Sequence, residues 1–349
     1  MCLSIMKRLP TLLLLLCSTA LLCSAAPAVE LVTCSEDGGA AAARMAAHHI
    51  DENHNHGYKF KLSEIKGNKV EKVHGGCEIE LQLDLMETTC HTINPTHFED
   101  CMIRNDYERM VMANCFVWMS VRNGDARVRN YHCDTRKVRT DREFGSFCPD
   151  CPTIISLHDT EGLKFVQEAV QRVNKNTTNQ NYFILKDVGR IDIGLQWSSP
   201  GMIYGSEIAL VESHCPMGPR ILPETCKPLC PDRARHAFCR SYSSTSEGLM
   251  SVVCDYYPPM KSTALGNGER EPICTPEDTV GLPPPPAVCY CYRRPRPGEE
   301  RPHHMPSFHH LPCPGLDAAI HAICTWPRPA PRENRPQIHR WKTCDCYRL

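Results

Sequence analysis

The chain has 349 residues, with 23 cysteines, 29 prolines and a formal net charge of −1 at pH 7. That length accommodates two domains of ordinary size and a tail. A near-neutral balance with no basic cluster leaves nucleic acid without an electrostatic footprint, so no nucleic-acid partner is expected.

Lys7 and Arg8 precede an apolar run from Leu12 to Leu22, followed by Ser24, Ala25 and Ala26, which reads as a secretory leader over residues 1–25. Cys2, Cys17 and Cys23 fall inside it, leaving twenty cysteines, an even number suited to disulfides in an oxidising compartment. No later run approaches the roughly twenty apolar residues of a membrane span. The expectation is a secreted, extracellular, monomeric protein that does not associate with membranes.

Ala40 to Ile50 reads as a helix, with Asp51 to Gly57 as its polar stop and Tyr58 to Ile65 as a strand. From Glu78 to Leu85 the alternation is strict: Ile79, Leu81, Leu83 and Leu85 face one way and Glu78, Glu80, Gln82 and Asp84 the other, the pattern of a half-buried antiparallel strand. Strands follow around Cys115 to Val121 and Val128 to Cys133. After residue 152 the order recurs. Asp159-Thr160 caps a helix over Gly162 to Val173, and strands are expected over Tyr182 to Lys186, Ile191 to Trp197 and Ile203 to Val211. Cys90 to Cys101 and Cys215 to Cys226 are both spaced by eleven, each after a long strand, which marks an internal duplication. The fold class is therefore α+β, two tandem units each of one helix packed on an antiparallel sheet. The units span residues 26–147 and 153–258, and a Pro- and Cys-rich, largely irregular region follows over 259–349.

Between the units lies Cys148-Pro149-Asp150-Cys151-Pro152. A disulfide across two residues, flanked by prolines of fixed φ, would hold Asp150 out as a rigid carboxylate. Such a group fits the open position of a catalytic zinc in another protein's cleft, at about 2.0–2.2 Å, and loses little entropy on docking. A redox pair, half of a structural zinc site and a plain structural staple are the competing readings of a C-x-x-C. The first two lack a βαβ context and a second C-x-x-C at ribbon spacing.

Glu78 to Leu85 running into Met86-Glu87-Thr88-Thr89-Cys90-His91-Thr92-Ile93-Asn94-Pro95-Thr96, with Gly57-Tyr58-Lys59 before it, resembles the first cystatin-like domain of the fetuin family in the cystatin superfamily. Gln196-Trp197, Glu212-Ser213-His214-Cys215 and Ser251 to Tyr257 resemble the second, and the intact linker is closest to the fetuin-B branch. The resemblance covers about residues 30 to 258. It implies an inhibitor of astacin-type zinc endopeptidases in which Asp150 reaches the target's zinc. Cys148, Pro149, Cys151 and Pro152 would form the inhibitory loop. The second-domain hairpin Gln196, Trp197, Ser198, Ser199, Pro200 and Gly201 would enter the cleft beside it. It also implies disulfides Cys90–Cys101, Cys115–Cys133, Cys148–Cys151, Cys215–Cys226, Cys239–Cys254 and Cys34–Cys313. Cys77, Cys230, Cys274, Cys289, Cys291, Cys324, Cys344 and Cys346 receive no partner from it.

Two other functions compete. Inhibition of papain-like cysteine proteases calls for a Gln-x-Val-x-Gly hairpin, which Glu71-Lys72-Val73-His74-Gly75 approaches with Glu in place of Gln. Calcium or mineral binding would use Glu78, Glu80, Asp84 and Glu87, spaced about 7 Å along one strand face; a solvated face explains them equally well. His303-His304, His309-His310, His48-His49, His54 and His56 could hold a metal weakly, but exposed polar histidines explain them better, and no metal or cofactor is assigned. Asn176-Thr177-Thr178 is a glycosylation sequon. No H-E-x-x-H or G-x-S-x-G is present, so no enzyme activity is expected.

Overall fold

The computed structural model describes residues 31–35, 38–175, 179–195, 201–218, 223–230, 232–260, 288–291, 311–312, 317–326 and 344–347. The leader, Asn176 to Thr178, Gln196 to Pro200, the tail histidine pairs and Cys313 lie outside them.

Helix α1 (Gly39–Asn53) presents Ala42, Ala43, Ala46, Ala47 and Ile50 to the first sheet. Alanine both favours the helix and lets its backbone come close. The sheet is a meander of β1 (Tyr58–Val73), β2 (Gly76–His91), β3 (Val111–Arg122) and β4 (Asp125–Lys137), in that spatial order. Ile79, Leu81, Leu83 and Leu85 are 1, 2, 0 and 1% exposed, so the alternation read from the sequence is the core face of β2.

The second half repeats the plan. Asp159 accepts from the Gly162 amide at 2.8 Å and starts α3 (Thr160–Val173), which packs Val166, Ala169 and Val173 against Phe183, Ile191, Ile208 and Leu210. The helix crosses so close at Gly162 that a Cβ there would sit 2.9 Å from Ile191. Its sheet runs β5 (Thr153–Ile154), β6 (Asn181–Leu195), β7 (Met202–Pro216), β8 (His236–Ser244) and β9 (Gly248–Tyr257). The two strands expected over Tyr182 to Lys186 and Ile191 to Trp197 are one strand, β6. Bulges at Leu185/Asp187 and Val188/Arg190 interrupt its alternation and so split the sequence signal. In each sheet one disulfide joins directly opposed residues, Cys115 to Cys133 and Cys239 to Cys254. The eleven-residue pairs Cys90–Cys101 and Cys215–Cys226 are also closed.

Cys34 is joined to Cys77, not to Cys313. Val32 is buried in the first core beside Cys77, which is 0% exposed, and the two Cα atoms stand 5.7 Å apart, within disulfide reach. Cys230 and Cys324 are also disulfide-bonded. Three short strands are described within the tail. Strands β10 (Val288–Cys291), β11 (Leu311–Pro312) and β12 (Cys344–Tyr347) form a small antiparallel sheet. Residues 317–326 strap across both halves: Trp326 bridges Tyr131 of β4, Ile323 is 3% exposed in the first core, and Ala318 accepts from the Leu157 amide at 2.9 Å. Among the described residues no helix is long and apolar enough to cross a membrane.

Candidate functional site

The linker grows out of a short helix, α2 (Asp141–Phe147), that the apolar pattern did not reveal. Its signal was Thr140-x-x-Glu143. The Thr140 hydroxyl accepts from the Glu143 amide at 3.3 Å, and the Glu143 carboxylate accepts from the Thr140 amide at 2.8 Å, a reciprocal capping box. Those bonds to Thr140 hold the Glu143 carboxyl below its ordinary pKa. Phe144 is buried beneath the Arg109 guanidinium, whose carbon lies 4.1 Å from the ring centroid, and Arg109 also pairs with Asp141. Arg109 holds a left-handed backbone (φ 55°), uncommon outside glycine, so this corner is fixed by its surroundings.

The helix ends where the Cys148 amide donates to Phe144 O at 2.8 Å, and a tight turn follows, with Cys151 N donating to Cys148 O at 3.3 Å across the Cys148–Cys151 disulfide. Pro149, Asp150 and Pro152 are exposed, whereas both cysteines are half-buried. Thr153 and Ile154 then pair with Ile193 and Asp192 of β6, and Ile155 N donates to Ile191 O at 2.9 Å. Pro152 consequently lies alongside Gly194. The loop is thus sewn on one side to the first half and on the other to the strand that runs into the β6–β7 hairpin.

Of that hairpin, Gly201 lies among the described residues. A Cβ on it would meet Thr245 Oγ1 at 2.9 Å, and Met202 and Thr245 exchange bonds at the hairpin base. The linker, the hairpin base and the β8–β9 turn therefore share one end of the second sheet. The rival hairpin, His74-Gly75 between β1 and β2, lies beside the β3–β4 turn, since Asn123 N donates to Gly75 O. β4, 13 residues and about 40 Å long, runs from that end towards the corner that carries α2 and the linker.

The acidic positions do not form a free carboxylate row. Glu78 pairs with Arg122 at 3.2 Å, Glu80 with Lys69 at 3.9 Å and Asp84 with Lys66 at 3.6 Å, while Glu87 is buried between Arg104 and Arg190. Among the described residues no group of three or more His, Cys, Asp or Glu is arranged to hold a metal ion. His54 and His56, expected at the surface, are buried between the halves. Sequence patterning misses them because what covers them, His321 and Asp187, is over a hundred residues distant.

No family model matches the sequence. Alpha-2-HS-glycoprotein of Pan troglodytes is 27% identical over 289 residues, covering 80% of this chain and 77% of the relative. The antihemorrhagic factor cHLP-B of Gloydius brevicauda is 29% identical over 192 residues, 53% of this chain and 52% of the relative. Mouse fetuin-B in complex with crayfish astacin has a similar fold, with a TM-score of 0.51, 22% identity, and coverage of 67% of this chain and 69% of that one. Mouse fetuin-B in its inhibitory complex with human meprin beta gives a TM-score of 0.51 and 22% identity, with coverage of 64% and 73%. With its two helix-on-sheet units, the chain is similar in sequence to the alpha-2-HS-glycoproteins and in fold to mouse fetuin-B.

Proposed function

We propose that this is a secreted, monomeric inhibitor of zinc endopeptidases of the astacin type, not an enzyme, and that Asp150 is the group that reaches the target's zinc. The observation that carries the reading is the loop itself: an exposed carboxylate on a disulfide-closed turn between prolines, clamped by α2 and β5. A carboxylate oxygen there takes the position of the zinc-bound water at about 2.0–2.2 Å, and the attacking nucleophile is lost. The β6–β7 hairpin at the same end of the molecule covers the cleft beside it. The disulfide ring and the prolines keep every carbonyl of the loop away from attack geometry, so the loop is not itself cleaved. The mouse fetuin-B complexes with crayfish astacin and human meprin beta support the target class. Six described disulfides suit an oxidising, extracellular setting.

The test is a titration of the disulfide-intact protein against crayfish astacin, with papain in parallel. Tight inhibition of astacin alone is expected, and Asp150→Ala is expected to weaken it by about a hundredfold or more. An Asp150→Ala protein as potent as the parent would remove zinc ligation from the account. Inhibition of papain alone would move the active element to the His74-Gly75 hairpin.

A further inference from the structure

Tyr107 and Phe147 are 64% and 39% exposed, yet their rings lie against each other, tilted by 34° with centroids 5.3 Å apart. Arg139 lies over the Phe147 ring, its guanidinium carbon 4.1 Å from the centroid, and is itself held by Asp106 at 3.2 Å. Both aromatic residues stand on capped turns. Asn105 Oδ1 accepts from the Tyr107 amide at 2.9 Å in a capping box with Glu108, and α2 carries its own at Thr140. Phe144, one turn earlier, is buried and anchors α2 in the interior, so the exposed pair is not what seats the helix. An aromatic pair topped by arginine, fixed in advance and left facing solvent, has the composition and rigidity of a binding hot spot.

We infer that Tyr107, Phe147 and Arg139 form a shoulder that packs on the rim of the same endopeptidase cleft that receives Asp150. The inference rests on the inhibitor reading above. What selects the occupant is continuity: Phe147 directly precedes Cys148, and three residues of chain span at most about 10 Å from Phe147 to Asp150. A standard protein interface buries about 800 Å² on each partner, a disc of about 16 Å radius. A target centred on Asp150 therefore covers the shoulder unless its surface is cut away there. The rim group facing it should be apolar or acidic, to meet the ring faces or the Arg139 guanidinium.

The experiment measures inhibition of crayfish astacin by the full-length protein carrying Phe147→Ala, Tyr107→Ala, Phe147→Trp or Asp150→Ala. Phe116→Ala, an exposed aromatic change on the outer face of β3, serves as control. Each alanine variant of the shoulder should raise the inhibition constant at least about tenfold, mostly through faster dissociation. Phe147→Trp should retain most of the potency, and Phe116→Ala all of it. Should Phe147→Ala melt early, Tyr107→Ala carries the test, since most of its side chain is in solvent. Parental potency in both alanine variants, with Asp150→Ala inactive, would overturn the shoulder and leave the zinc reading standing. Parental potency in all three would overturn both.

Discussion

Arg190 on β6 and Glu87 on β2 meet at 2.7 Å across the boundary between the two halves, the first 6% and the second 2% exposed. Arg104 donates to the same carboxylate oxygen at 2.8 Å and to Glu207 of β7 at 2.7 Å, and the buried Tyr58 hydroxyl donates to Glu207 as well. The two arginines outweigh the upward push of burial and hold the Glu207 carboxyl down to about 2. Arg190 also donates to backbone carbonyls of Glu108 and Arg109. The corner that carries α2 and the linker is thereby fastened to the second half through charge rather than through apolar packing.

Removing one charge from this network of two arginines and two carboxylates leaves its buried charge unbalanced. Arg190→Met or Glu87→Gln should each destabilise the protein by about 3–5 kcal/mol, because an uncompensated buried charge is left behind. The double variant should lose clearly less than the two losses added together. Chemical denaturation checks this; single variants within 1 kcal/mol of the parent would show that the halves are held elsewhere.

Acid should loosen the same boundary. Burial pushes the His54 imidazole down to about 3 and His236 to about 4, and holds His56 and His91 below the ordinary value too. His56 Nδ1 and His321 Nδ1 lie 3.1 Å apart and His321 Nε2 lies 2.9 Å from Val188 O, so protonating both rings would set two donors against each other. Bases lowered in the folded state lose stability as pH falls below about 6.5, where the unfolded chain takes up protons first. Glu207, a lowered acid, adds to the loss further down, below about pH 4. Asp192, pushed up to about 6 by burial and by Glu207, and Asp51, raised by burial, work in the opposite direction, but they are two groups against five, since burial lowers His49 as well. The melting temperature should therefore fall from pH 7 to pH 5, and His54→Phe should flatten the fall. A melting temperature constant over that range would refute the assignment.

These boundary residues show where sequence reading stops. The period-two alternation of β2 located Ile79 to Leu85 because each side chain's fate is decided by its own sheet. The same alternation placed Asp84 in solvent, and the mineral-binding reading placed Glu87 there, yet they are 8% and 2% exposed, since Asp84 is covered by Asn114 and Lys66 and Glu87 by Arg104 and a strand of the other half. Asp159 and α3 were legible from a cap followed by helical spacing. The second half of β1 was not, because an edge strand with exposed faces carries no apolar rhythm. Within the site, the Cys148 to Pro152 loop announced itself by composition, while α2 left only its capping box, and the pairing of Cys34 with Cys77 left no local trace at all.

The strap over residues 317–326 gives a second test of how the halves are joined. Ile323 fills the first core and its amide donates to Thr135 Oγ1 at 3.1 Å, while His321 and Ala318 bond to the second half. Ile323→Ala should cost about 2–4 kcal/mol through the cavity it leaves. Hydrogen exchange should rise first at Tyr131, whose amide donates to Trp326 O at 2.8 Å. Unchanged protection at Tyr131 would mean that the strap is held without Ile323.

Opening the linker ring separates rigidity from chemistry. Cys148→Ser with Cys151→Ser retains Asp150 and both prolines, along with the pairing of Thr153 and Ile154 to β6. The ring encloses only two residues, so its loss changes global stability little, by the same chain-entropy reasoning that gives long disulfide loops their larger effect. What it releases is the turn between α2 and β5, which must then be ordered again on docking at roughly 1–2 kcal/mol for each backbone residue fixed. Over the few residues concerned, this predicts inhibition of astacin weakened by about ten- to a thousandfold with an unchanged melting temperature. It also predicts slow cleavage within residues 148–152 on long incubation, because a flexible loop can reach attack geometry. If the double serine variant inhibits like the parent and stays intact, the prolines and the flanking clamps hold Asp150 in place without the disulfide.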